Sequence, residues 1–140
     1  MRAYAILVFL TACGLPALAA ADPCKAVPDH GAAPAWLAHG ATVTGPVVYI
    51  GDGDSLCVAA GDGPANWVEI RLADFYAPEL RAPGGAEAKA TLQRLTRGRI
   101  LTCVVDHQTY DRVAAVCRLR GKSLGDRMRE AGIPEGGRGR

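Results

Sequence analysis

An α+β fold, with five short strands closing a small barrel and two helices packed beside it, is what this sequence predicts. Three observations lead there. β-Branched or alternating apolar runs recur between positions 42 and 119, each bounded by Gly, Pro or Asp. One interior segment, 86–96, has helical spacing instead, and a second short helix follows the last strand. The chain is 140 residues long and 49% apolar, enough for one core and one domain, with no internal repeat or low-complexity stretch.

The first strand is Thr42–Ile50, with a bend expected at Gly45-Pro46. Gly51-Asp52-Gly53-Asp54 turns the chain into Ser55–Ala59, and Gly61-Asp62-Gly63-Pro64 turns it again. The third strand, 67–73, alternates Trp67, Glu69 and Arg71 against Val68, Ile70 and Leu72, so Arg71 faces away from the core. Pro78 ends this extended stretch. Gly84-Gly85 opens the helix at 86–96, with Ala90, Leu92 and Leu95 as its apolar positions and Gly98 as its stop. Strands at 99–106 and 112–119 follow, joined by a polar turn. Ser123 is an N-cap with Asp126 at the third helical position, and a short helix runs to Gly132. Three strands, a helix, two strands and a helix make a barrel of OB type.

The segments outside the barrel divide as a leader, 1–21, an arm, 22–40, and a flexible tail, 134–140, around a domain at 41–133. Met1-Arg2, an apolar stretch too short to span a bilayer and small residues before Asp22 form a signal peptide, with cleavage after Ala19 or Ala21. Leu10-Thr11-Ala12-Cys13 offers a competing lipoprotein box. Either reading exports the chain to the periplasm or beyond and leaves no span in the mature protein. Trp36 and Trp67 are read as packing residues, and His30, His39 and His107 as surface histidines, since they show no ligand spacing.

Beyond the leader stand Cys24, Cys57, Cys103 and Cys117, with no CxxC spacing, which excludes zinc-ribbon and thioredoxin sites. An even count in an exported chain suggests two disulfides, against the alternative of four buried thiols. Cys103 and Cys117 flank the turn at Tyr110 almost symmetrically and suit a cross-strand bond, leaving Cys24 for Cys57. Net charge is +2, unevenly spread: residues 22–93 carry four basic and nine acidic side chains, and 94–140 carry eleven and five. An acidic part that seats a cation beside a basic part that faces a polyanion suits a phosphodiester substrate, although an arginine-rich surface is equally a solvated one.

The chemistry is concentrated in Asp52-Gly53-Asp54-Ser55, Arg71 through Pro78-Glu79, and Tyr110-Asp111-Arg112. Clustered aspartates hold a hard cation, arginines grip phosphate oxygens, and a glutamate orients or deprotonates a water. Over about 47–132 these residues resemble the staphylococcal-nuclease (thermonuclease) family. Its first motif, Asp-Gly-Asp-Thr, stands here as Asp52-Gly53-Asp54-Ser55. Its Arg followed eight positions later by Glu after Pro stands as Arg71 and Pro78-Glu79, and its Tyr-Gly-Arg as Tyr110-Asp111-Arg112. The arrangement Cys103, Arg112, Cys117 is similar to that of exported bacterial members.

The resemblance implies an OB-fold nuclease that hydrolyses DNA or RNA with calcium, acting as a monomer. It implies Asp54 as a calcium ligand, Glu79 as the residue that orients or deprotonates water, Arg71 and Arg112 as phosphate binders, and Tyr110 as a nucleotide contact or an ordinary turn tyrosine. One departure weakens the calcium site: the second ligand aspartate of the family falls at Tyr76. Asp74, two residues earlier, is the candidate substitute, or else merely caps the strand, and Asp52 is another nearby carboxylate. The competing expectation is a non-catalytic OB module that binds nucleic acid through a degenerate site; an envelope structural domain would need none of these acids and arginines.

Overall fold

The computed structural model describes residues 21–136; residues 1–20 of the leader, with the lipoprotein box at Cys13, and residues 137–140 lie outside them. Six strands run in the order β3-β2-β1-β4-β5-β6, and a further pairing of β3 with β5 closes the first five into a mixed barrel. These are β1 (Thr42–Ile50), β2 (Ser55–Ala59), β3 (Trp67–Leu72), β4 (Ile100–Gln108), β5 (Val113–Leu119) and β6 (Lys122–Ser123), with helices α1 (Gly85–Thr96) and α2 (Leu124–Glu130). The OB-type α+β architecture is therefore present, with β6 added as a two-residue edge.

Closure depends on β1 changing partners along its length. Its first half, Thr42 to Pro46, pairs with β4, and its second half, from Val47, pairs with β2 across a register shift. The bend expected at Gly45-Pro46 lies at this exchange. A side chain at Gly45 would stand 2.0 Å from the Ala59 carbonyl oxygen, so only glycine permits the approach. On the far side, Ile70 to Leu72 of β3 run parallel to Val113 to Ala115 of β5. The core holds the inward side chains: Val43, Leu56, Val58, Val68, Ile70, Leu72, Leu101 and Val105 from strands, Leu92 from α1, Leu124 and Met128 from α2.

Boundaries differ from expectation where end effects decide them. Ala73 leaves the strand, although its N–H still donates to Ala115 O at 2.9 Å. β4 begins at Ile100 and reaches Gln108, because the hairpin continues beyond a register shift between Val105 and His107. Arg112 belongs to the turn, its carbonyl accepting the Thr109 N–H and hydroxyl at 2.8 and 2.9 Å. Ser123 caps α2 by accepting the Asp126 N–H at 3.0 Å, but the helix stops at Glu130, short of Gly132. After α2 the chain folds back on the domain: Ile133 is buried, Arg129 pairs with Glu135 at 2.5 Å, and Gly136 N–H donates to Tyr76 O at 3.0 Å.

Both disulfides form as paired from the sequence, Cys24–Cys57 and Cys103–Cys117. Cys103 and Cys117 are direct partners in the β4–β5 ladder, with Cα atoms 3.9 Å apart. By loop-closure entropy a bond enclosing a loop of this size contributes about 3 kcal/mol. Cys24–Cys57 fixes the start of the arm to the middle of β2, at a sequence separation of 33. The arm then crosses the barrel. Val27 and Leu37 enter the core, and the Gln108 amide clamps its backbone, accepting from Ala33 N–H at 2.6 Å and donating to Gly31 O at 2.9 Å.

Candidate active site

The Asp52–Asp54 turn is built by close packing against α1 and the loop after β3. A side chain at Gly53 would stand 2.5 Å from the Cβ atoms of both Ala77 and Ala88, so this glycine brings three segments into contact. Asp54 is 3% exposed and accepts the Ala77 N–H at 2.9 Å on Oδ2. The same oxygen stands 3.5 Å from Arg71 Nη2. Asp52 accepts the Asp54 N–H at 3.0 Å.

These two carboxyls are driven apart in acidity. Burial, then the charge of Asp52, raises the Asp54 pKa to about 6, against the opposing pull of Arg71 and the Ala77 hydrogen bond. Burial also acts upward on Asp52, but hydrogen bonds from Asp54 and Ser55 outweigh it and hold that carboxyl below the ordinary value. Two acids crowded in a half-dry turn, offering only oxygen donors, suit a hard dication that would relieve both the burial and the mutual repulsion.

Arg71 projects from β3 opposite Ala114 of β5, whose methyl group leaves room for the guanidinium. It borders a cleft of about 200 Å³ that also includes Tyr76, His107, Thr109 and Ala114. The Tyr76 ring lies 5.7 Å from Arg71 Cζ. Where the resemblance places a ligand carboxylate there is thus an aromatic face beside Arg71.

Asp74 is set apart from this turn by its packing. Its Oδ2 stands 2.7 Å from where a Gly125 side chain would begin, so the carboxyl lies against the start of α2, and Arg129 donates to its backbone carbonyl. Its Oδ1 is buried without a hydrogen-bond partner. Among the described residues Asp52, Asp54 and Asp74 form no three-carboxylate cluster. The one cluster of three potential ligands is Asp22, Cys24 and Cys57, whose sulfurs are joined in a disulfide.

Glu79 is exposed on the loop between β3 and α1. Ala77, locked to Asp54, places the Glu79 backbone within about 7 Å of that contact, since two residues span no more. Glu79 O accepts the Ala82 N–H at 2.8 Å, turning the chain toward α1. Asp54, Arg71 and Glu79 are thus brought to one end of the barrel.

Arg112 is held differently. Its Nη1 stands 3.4 Å from Glu69 Oε1, one alternation before Arg71 on the same face of β3. Burial, then the charge of Asp22, raises the Glu69 pKa to about 7 although Arg112 pulls it down. Tyr110 is 65% exposed at the tip of the turn, with its hydroxyl 3.0 Å from His30 Nε2 and the two rings edge-on.

Sequence reasoning missed Glu69 as the partner of Arg112 and His107 as a cleft residue. The polar alternation of β3 marked the first as outward-facing, and nothing in the spacing signals the second. Among the described residues no helix is long and apolar enough to cross a membrane. Compared with protein-family models and with curated proteins, the chain matches none.

Proposed function

We propose that the protein is an exported phosphodiesterase that hydrolyses DNA or RNA with calcium assistance, acting as a monomer. The observation that carries this reading is the buried Asp54–Arg71 pair beside Asp52, at the edge of a cleft and within one short loop of Glu79. A structural ion pair needs no second carboxylate crowding it and no adjoining cleft.

Asp54 and Asp52 would hold the cation, whose positive charge offsets the growing negative charge on the phosphate oxygens. Arg71 binds a non-bridging oxygen through the planar fork that suits phosphate, and Asp54 keeps that fork in place. Glu79 accepts a proton as water attacks phosphorus, and Arg112 supplies further positive charge at the same face. Tyr110 contacts the nucleotide beyond the scissile bond. Two disulfides suit an oxidising compartment outside the cytoplasm.

Tyr76 favours a second reading. An aromatic ring beside Arg71, in place of a carboxylate, suits an OB module that keeps phosphate affinity and has lost hydrolysis. Digestion of single-stranded DNA by the mature protein, with and without calcium, separates the two. Under the catalytic reading, Glu79→Gln lowers the rate about 10²–10⁴-fold with an unchanged melting temperature. A variant as active as the parent removes Glu79 from its role. Absence of calcium-dependent hydrolysis in the parent leaves the binding module.

A further inference from the structure

We propose that the groove between β1 and α1 is an extended binding track for single-stranded nucleic acid, leading away from the Asp52–Asp54 turn. The proposal rests on the nucleic-acid reading above and adds where the strand runs. α1 meets the turn at Ala88, packed on Gly53. From the next residue, Lys89 and Gln93 on α1 and Arg97 at its C-cap recur every fourth position along one side. Gln93 and Arg97 line a groove of about 200 Å³ whose other wall is Val47, Val48, Tyr49 and Ile50 of β1. The ammonium of Lys89 lies 5.8 Å from the Tyr49 ring centroid, across the end of the groove nearest the turn.

Positive charge without acids borders this groove. Positions 88–105 contain Lys89, Arg94, Arg97 and Arg99 and no acidic residue, and 42–51 carry no charge at all. None of the ion pairs among the described residues engages these four cations, nor Arg118 and Arg120, whereas Arg71, Arg112, Lys122 and Arg129 are each paired with a carboxylate. The second half of α1 and its C-cap, basic and facing an uncharged strand, suit a polyanionic chain.

The groove also supplies apolar contact, because Val48 is 42% exposed beside the partly exposed Tyr49 ring. A single strand uses both features, its phosphates on the cations and a base or sugar on the ring, whereas the stacked bases of a duplex cannot reach an aromatic wall. Lys89 and the C-cap residue Arg97 stand about 12 Å apart along the helix axis, room for roughly two or three nucleotides.

The test is binding without turnover, in chelator, of a fluorescent dinucleotide and decanucleotide to the mature protein. The decamer binds more tightly than the dinucleotide, and the double variant K89Q/R97Q loses that increment. Its dependence of log affinity on log salt becomes shallower by about 1.4, since each phosphate contact on a single strand contributes about 0.7. The pair R118Q/R120Q, on the far hairpin, keeps the parental values. A decamer carrying 5-bromouracil cross-links to Tyr49 on irradiation.

Equal salt slopes and affinities in K89Q/R97Q and the parent overturn the track, as does cross-linking confined to other elements. Binding to phosphatidylglycerol vesicles with none to the decamer overturns it in favour of a lipid surface. Decamer binding through the groove in a protein that shows no calcium-dependent hydrolysis supports the track and removes only the catalytic reading.

Discussion

Two arginine–carboxylate pairs face the same side of the barrel, and they are held in unlike ways. Arg71 meets Asp54, which is buried, fixed by the Ala77 N–H, and part of the turn that carries Asp52. Arg112 meets Glu69, whose surroundings include Asp22 and Lys25 of the arm that Cys24–Cys57 fastens to β2. The first pair is assembled from the barrel and its own loops. The second lies where an added segment overlaps the strand face. Asp54 therefore holds its arginine from a buried, hydrogen-bonded position with its pKa raised to about 6, whereas the half-buried Glu69, with its pKa raised to about 7, neutralises its arginine to a degree that changes through neutrality. If hydrolysis is the function, the geometrically fixed charge sits at the first pair, and the charge that titrates through neutrality sits at the second.

The strongest way to break this comparison is to remove each arginine in turn. Arg71→Ala lowers kcat/KM on single-stranded DNA by about 10²–10³, the usual loss for a preorganised donor at developing charge. Arg112→Ala costs less, about tenfold, because the parent already has that charge partly compensated by Glu69. Steady-state digestion of one oligonucleotide by both variants is the measurement, and equal losses would erase the distinction between the pairs.

The Asp54 pair is sharpened by restoring a carboxylate beside it. Tyr76→Asp adds an oxygen donor and a negative charge next to Asp52 and Asp54, and calcium affinity rises about tenfold, as ligand charge count dictates. Calorimetric titration of both proteins checks it. Tight binding by the parent, unchanged in the variant, would mean the Asp52–Asp54 turn suffices alone.

Much of this organisation was legible in the residues. The alternation of Val68, Ile70 and Leu72 fixes the inward face of β3, and Gly45-Pro46 marks the bend that lets β1 serve two partners. The cysteine spacing around Tyr110 was enough to anticipate a ladder pair. β6 was not legible, because two residues carry no period. The orientation of Asp74 was hidden as well: its carboxyl turns toward α2 because Gly125 leaves space there, a contact made across fifty residues of chain. The Glu69–Arg112 pair needed the parallel pairing of β3 with β5, and no local pattern encodes which strands close a barrel.

The smallest effect belongs to Glu69 and is the most direct reading of the second pair. Burial, and then Asp22, raise its pKa from 4.5 to about 7 in the folded chain, with Arg112 acting in the opposite direction. A carboxyl raised in this way contributes stability that is full below the unfolded value and is lost as pH climbs through the folded one. The melting temperature should therefore fall between about pH 4.5 and 7 in the parent, and Glu69→Gln should remove this contribution to the fall. The same titration sets the charge beside Arg112: protonated Glu69 leaves the guanidinium uncompensated, and ionised Glu69 neutralises it. Affinity for a mononucleotide then declines a few-fold across neutrality in the parent and stays flatter in Glu69→Gln, a size in keeping with a partly exposed ion pair. Melting curves and nucleotide titrations at pH 5, 6, 7 and 8 measure both. Parallel profiles in the two proteins would mean that Glu69 is ionised throughout, and its pair with Arg112 would then hold unchanged across that pH range.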